Sequence, residues 1–248
     1  MPDIHAIAAQ LSLAYRNRQP FEASPDSGPV SIEQAYAVQR AVWLQQVGAA
    51  RPGAWKAGAP NRQSEPTAAA VFPQRIARSP ACFSRTDFNT LGIEAEIALR
   101  FARDLPVQDA PRPGEEILAA IAGAHVAIEL VDSRLLNPQE AGPLWRLADN
   151  LVNGGLVIGP EIPDWRNLDF AGLTVRVHGN GTCLAETLGR PPLDDLFHCL
   201  PWWIDHIGGV KAGDVVTTGA WNGMHPVCLP AEVSVEFVGV GRAEVRID

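Results

Sequence analysis

The sequence predicts an α+β fold: an N-terminal helical portion followed by a mainly antiparallel β core. Three observations carry that expectation. Apolar residues recur at helical spacing at Ile4, Ile7, Ala8, Leu11 and Leu13, and again at Ala35, Val38, Val42 and Trp43. Beyond residue 92 the apolar segments become short and read as strands, notably Ile93–Phe101 and Val126–Val131. The 22 glycines and 21 prolines are dispersed, so they punctuate many turns and form no low-complexity tract.

In chain order, residues 1–17 are expected as a helix, followed by a Pro/Ser/Gly-rich break from Pro20 to Pro29. Ser31 opens a second helix, with Gln34 where a capping box would place it. The stretch from Gly53 to Gly58 reads as a short strand or tight loop, and residues 59–92 as short helices over a binding site. Glu115–His125 is expected as a helix introduced by Pro113-Gly114, and Leu156–Ile158 as a strand. Leu173–Val177 and Thr182–Ala185 flank a hairpin turn at His178-Gly-Asn-Gly181. Leu193–His206 is expected to be helical and Val215–Thr218 a strand, with Val233–Val238 and Ala243–Ile247 closing the chain as a hairpin. No repeat is visible. The organisation expected is one unit over residues 1–248, with 1–75 the helical portion and 76–248 the β-rich metal-binding core.

Hydrophobic residues make up 46% of the chain and charged residues 19%, enough for a sizeable core without disulfide staples. A net charge of −8 without a Lys/Arg run speaks against nucleic acid and anionic membranes as partners, since both are held by clustered cations. Met1–Gln10 lacks the basic and apolar regions of a signal peptide, and no apolar stretch approaches a membrane span. Cys82, Cys183, Cys199 and Cys228 lack CxxC spacing and read as buried or half-buried free thiols of a cytoplasmic protein.

The chemistry concentrates in carboxylates. In Ile93-Glu-Ala-Glu-Ile-Ala-Leu99, strand alternation puts Glu94 and Glu96 on one face and Ile93, Ala95, Ile97 and Leu99 on the other. A solvated strand face would look the same. Ala127-Ile-Glu-Leu-Val131, however, sets a third carboxylate, Glu129, inside an apolar run where an unpaired charge is costly. Three carboxylates suit a hard cation such as Mg²⁺ or Mn²⁺, and no His–His or Cys–His spacing argues for zinc.

These segments carry a resemblance. Ile93-Glu-Ala-Glu-Ile-Ala-Leu99, Ala127-Ile-Glu-Leu-Val-Asp-Ser-Arg134, Ala148-Asp-Asn150 and Gly213-Asp-Val-Val-Thr-Thr-Gly219, in this order and spacing, resemble the 2-keto-4-pentenoate hydratase and 4-oxalocrotonate decarboxylase family of the fumarylacetoacetate hydrolase superfamily. The resemblance implies a β core of the fumarylacetoacetate-hydrolase C-terminal type. It also implies Glu94, Glu96 and Glu129 as ligands of Mg²⁺ or Mn²⁺, and Lys56, Glu94 and Glu129 as the catalytic set. Substrate contacts are implied for Lys56, Asp149, Asn150 and Thr218, and His225 follows Thr218-Gly219 closely enough to reach the substrate's far end. Lys56 also reads as a surface lysine and Thr218 as a strand-end threonine. His125 and His225 are each more often structural.

The activity implied is hydration of a 2-hydroxy-2,4-dienoate to a 4-hydroxy-2-oxo acid, as in aromatic catabolism, by a homo-oligomer acting on a small 2-oxo or 2-enol acid. The alternatives are 2-oxo-3-enedioate (4-oxalocrotonate) decarboxylation or a non-catalytic acid-binding subunit. Two departures from the family pattern stand out. Pro66–Arg75 carries no aspartate before the first metal strand, and Leu151-Val-Asn153 follows Asp149-Asn150 where the hydratases often have serine.

Overall fold

The computed structural model describes residues 3–248. Helix α1 (Ile4–Asn17) is capped by Asp3, whose carboxylate accepts from the backbone N–H groups of His5 and Ala6. Met1 and Pro2, the expected first residues of that helix, lie outside the described residues. Helix α2 (Ile32–Gln46) starts at Ser31, whose hydroxyl accepts from Gln34 N at 3.3 Å. Only half of the expected capping box forms, because the Gln34 side chain accepts from Val30 N instead. Leu11, Tyr15, Val38, Val42 and Trp145 pack into a helical core, to which α4 (Pro143–Ala148) contributes.

The rest is sheet. An eight-stranded sheet runs in the order β2 (Thr67–Ala70), β1 (Ala54–Gly58), β10 (Val215–Thr217), β5 (Gly92–Phe101), β6 (Ile121–Val131), β7 (Asn153–Glu161) and β3 (Ile76–Arg78), with β11 (Met224–Pro226) also pairing β5. A five-stranded sheet runs β4 (Ala81–Phe83), β13 (Gly241–Ile247), β12 (Ala231–Phe237), β8 (Thr174–Gly179) and β9 (Thr182–Leu188). Most pairs are antiparallel, as expected, but β1–β10, β3–β7 and β13–β4 are parallel.

The two sheets enclose the main core. Ile93, Ala95, Ile97 and Leu99 meet Val235, Phe237 and Val245 there, so the opposite face of β5 is left for Glu94 and Glu96. At Gly159 the sheets come so close that a Cβ would lie 2.6 Å from Val126 O and 2.9 Å from the Ala243 Cβ. The expected turn between β8 and β9 is present, with Asn180 and Gly181 both at positive φ.

Four expectations are corrected. The helix expected at Glu115–His125 ends early: α3 covers Gly114–Ala120, and Ile121–His125 opens β6. A near-continuous apolar run has no period that separates helix from buried strand. The helix expected at Leu193–His206 is only α5, Leu200–His206, preceded by turns. Residues 59–92 hold three short strands and 3-10 turns rather than helices over a site, and β1 and β2 join the large sheet ahead of residue 75. All four cysteines are free, but Cys82, Cys183 and Cys228 are exposed and only Cys199 is buried. No described helix is long and apolar enough to cross a membrane.

Candidate metal centre

The face of the large sheet turned away from the small one carries the carboxylates. Register sets Glu94 directly opposite Glu129, and Glu96 opposite Ala127, so all three acids share that face. Small and apolar neighbours, among them Ala98, Ala127 and Leu156, surround them. Like charges directly opposite one another destabilise a sheet unless something neutralises them. Oxygens of Glu94, Glu96 and Glu129 lie within 4.8 Å of one another, the one such group of potential ligands among the described residues.

Lys56 enters from β1, with Nζ 2.6 Å from Glu129 Oε1 and 3.8 Å from Glu94 Oε2. It also donates to Leu151 O at 3.5 Å. The expected tight, partly buried lysine is therefore what the fold presents, and the surface-lysine reading falls away. Asn153 at the start of β7 donates to Glu129 Oε1 at 2.9 Å, and Gly219 N to Glu96 Oε2 at 3.3 Å. The remaining oxygens, Glu96 Oε1 and Glu129 Oε2, are buried and have no partner. A desolvated carboxylate oxygen left unpaired is strongly unfavourable, so this donor set fits a divalent cation.

Electrostatics point the same way. Burial, then the charge of Glu129, pushes Glu94 up to about 7. Burial raises Glu96 well above the usual carboxylate range, reinforced by Glu129 and Glu94. Burial alone would lower Lys56, but the surrounding glutamates, Glu129 foremost, outweigh it and hold the ammonium charged. Binding a cation requires the three carboxylates as anions; with Lys56 charged the cluster would then carry −2, which one divalent cation would balance.

The other expected residues divide. Asp149 is buried and consumed by structure: both oxygens are bonded, to Ser133 Oγ and to Arg134 through its backbone and side chain. Arg134 in turn donates to Asn153 O at 2.8 Å, which fixes the residue that holds Glu129. Asp149 thus supports the centre from behind, and its acid is not free to bind substrate. Asn150 begins a run of three residues at positive φ, Asn150, Leu151 and Val152, and donates to Ala70 O at 2.8 Å. Thr218 is buried, with its hydroxyl unpartnered.

His225 lies on β11 with its Nε2 buried and unpartnered. It stands opposite Ile93, whose side chain lies in the core between the sheets, whereas Met224 stands opposite Glu94 on the carboxylate face. Sequence reasoning also missed Asn153 and Gly219. Both act across strand or loop neighbours, and no local spacing signals such a contact.

Residues 36–248 match the family described as fumarylacetoacetate (FAA) hydrolase C-terminal. A 2-keto-4-pentenoate hydratase of Burkholderia vietnamiensis is 29% identical over 153 residues, which is 60% of this chain and 57% of that protein. A 2-keto-4-pentenoate hydratase 2 of Dechloromonas aromatica is 26% identical over 159 residues, with the same coverage. The chain is therefore matched to little more than half the length of these relatives. The 4-oxalocrotonate decarboxylase of Pseudomonas putida, solved with magnesium and adipate, has the same fold: TM-score 0.82 at 20% identity, over 99% of this chain and 97% of that one. The matched stretch takes in β1, both carboxylate strands and the closing hairpin, and this chain belongs to the fumarylacetoacetate hydrolase C-terminal family.

Proposed function

We propose that this protein is a metal-dependent hydro-lyase that adds water to a 2-hydroxy-2,4-dienoate, giving a 4-hydroxy-2-oxo acid. Glu94, Glu96 and Glu129 would hold Mg²⁺ or Mn²⁺. One observation carries the reading: three carboxylates converge on a sheet face with Glu96 Oε1 and Glu129 Oε2 buried and unpartnered. The hydratase names of the curated relatives and the magnesium in the decarboxylase structure support it. The reading carries with it a cytoplasmic homo-oligomer.

A divalent cation would supply a Lewis acid for the carboxylate and 2-oxygen of the acid and a sink for enolate charge. The chain's own residues do the rest. Among the described residues Lys56 Nζ is the one ammonium in contact with the cluster, and it would carry the proton that enters at carbon 5 when the dienol becomes the conjugated ketone. Water then adds at carbon 4 and a proton at carbon 3. Asn153 and Gly219 hold Glu129 and Glu96 in place throughout.

A second reading, decarboxylation of a 2-oxo-3-enedioate, has a specific observation in its favour. Pro66–Arg75 contains no acid and Asp149 is locked to Arg134, so proton carriers are few, and loss of CO₂ needs chiefly the electron sink. The deciding assay follows dienol absorbance with 2-hydroxypenta-2,4-dienoate and CO₂ release from 2-oxohex-3-enedioate, each with Mg²⁺ or Mn²⁺. Hydration is the expected outcome. CO₂ release alone would establish the decarboxylase, and oxalate binding without turnover of either would reduce the protein to an acid-binding subunit.

A further inference from the structure

A cavity of about 410 Å³ opens at the edge strand β2 beneath α2. Its volume is in the range of small-molecule sites. Its walls are aromatic: Tyr36 and Trp43 from α2, Trp55 from β1, and Phe72. The Trp43 and Phe72 rings stack 5.7 Å apart with their planes 17° from parallel. Alanines at 68, 69 and 70 form the floor, and side chains this small are what leave the space open.

Two arginines line the rim. Arg51 is spent, with both terminal nitrogens 2.7 Å from the carboxylate of Asp214. Arg40 is exposed and lines the same cavity. A free guanidinium beside flat apolar walls selects a planar group that ends in an anion.

We propose that this cavity binds a planar aromatic carboxylate, with its ring against the aromatic wall and its carboxylate on Arg40. One segment borders both the cavity and the carboxylate cluster. Asn150 lines it and donates to Ala70 O, while Leu151, the next residue, contacts Lys56 through its carbonyl. Lys56 itself stands opposite Ala69 of the floor. Two sources would supply such a group: a free aromatic acid, or the aromatic tail of a substrate.

Calorimetric titration of the metal-free protein in EDTA with benzoate and with cinnamate tests the site, using cyclohexanecarboxylate as the non-planar control. EDTA keeps chelation at the glutamates out of the measurement, so the result stands apart from the proposed reaction. Expected is saturable binding of a planar acid that beats the control, weakens about tenfold or more in Arg40→Gln and is unchanged in Glu129→Gln. Arg40 lies on the exposed side of α2, so its replacement leaves the fold intact. No saturable binding, or equal affinity in Arg40→Gln, overturns the proposal. Kinetics then separate the sources. Inhibition confined to a 5-phenyl dienoate identifies the substrate's own tail, and any other pattern identifies a free acid.

Discussion

In the metal-free protein Lys56 stands where a cation's charge belongs. Its ammonium is the only positive group among the described residues in contact with Glu129 and Glu94. Lys56→Ala is expected to lower kcat by a factor of about 10²–10⁴, the scale for losing one acid–base or charge-stabilising group. It also strands a buried carboxylate, which costs about 3–5 kcal/mol when a buried pair loses one member. That loss appears in EDTA melts and shrinks on adding Mn²⁺. A variant with wild-type turnover and wild-type EDTA stability would return Lys56 to a bystander's role. Glu94 adds a pH signature. Its pKa rises from 4.5 to about 7 on folding, so its protonated form is favoured in the native state. Its contribution is complete below the unfolded value and is lost as pH rises through the folded one. Metal-free stability therefore falls between about pH 4.5 and 7 while Mn²⁺ affinity climbs over the same window, because the ligand must be ionised. Thermal melts and calorimetry across pH 5–8 check both slopes, and flat profiles would remove Glu94 from the centre. At this scale the glutamates were legible because strand alternation and an apolar run are local signals. The sides taken by Met224 and His225 were not, since they depend on the register of β11 against β5.

Elements fix that geometry by close packing, and Gly159 shows how little slack there is. Gly159→Ala would drive a methyl into Val126 O and the Ala243 Cβ, and one of these is backbone that cannot rotate away. We expect a loss of about 1–3 kcal/mol, the range for overpacking, measured by urea unfolding. Metal affinity should survive, because Glu129 lies three residues beyond Val126 on a strand still paired to β5. A Gly159→Ala protein as stable as wild type would show that the sheets can separate at no cost. The same closeness explains why element boundaries were hard to read. Ile121–His125 pairs with β5 and is buried except at Ala122, and a segment so nearly buried throughout loses the polar alternation that marks a strand. Short strands such as β3 and β4, three residues each, are held by partners at distant positions in the chain, Leu156–Ile158 and Val245–Ile247, rather than by their own propensity. The hairpins β8–β9 and β12–β13 were legible because their turns are written in glycine and asparagine.

On the scale of the whole molecule, the core and the centre lie on opposite faces of the same sheet, so folding and metal binding are separable. Apolar burial between the sheets does not involve the glutamates, and EDTA should leave the protein folded. Binding to the native state alone adds RT ln(1 + [L]/Kd), about 2.7 kcal/mol at one hundred times Kd. For a chain of this length that is a rise in Tm on the order of 5–10 °C. Glu96 gives the sharpest test of what the carboxylates cost. It is fully buried, its pKa is raised by burial and by both other glutamates, and one of its oxygens has no partner. Glu96→Gln removes the cost of ionising a buried carboxylate among like charges while keeping the side chain's shape. Its EDTA melt is therefore expected above that of the wild type, and its response to Mn²⁺ is expected to vanish. The two results belong together, because a residue retained only for structure would lower stability when replaced and leave the metal response untouched. If Mn²⁺ raised the Tm of Glu96→Gln as far as that of the wild type, the ligand set would have to be redrawn around Glu94 and Glu129. If the EDTA melt fell instead, the Glu96 carboxylate would be satisfied by Gly219 and its neighbours without any cation.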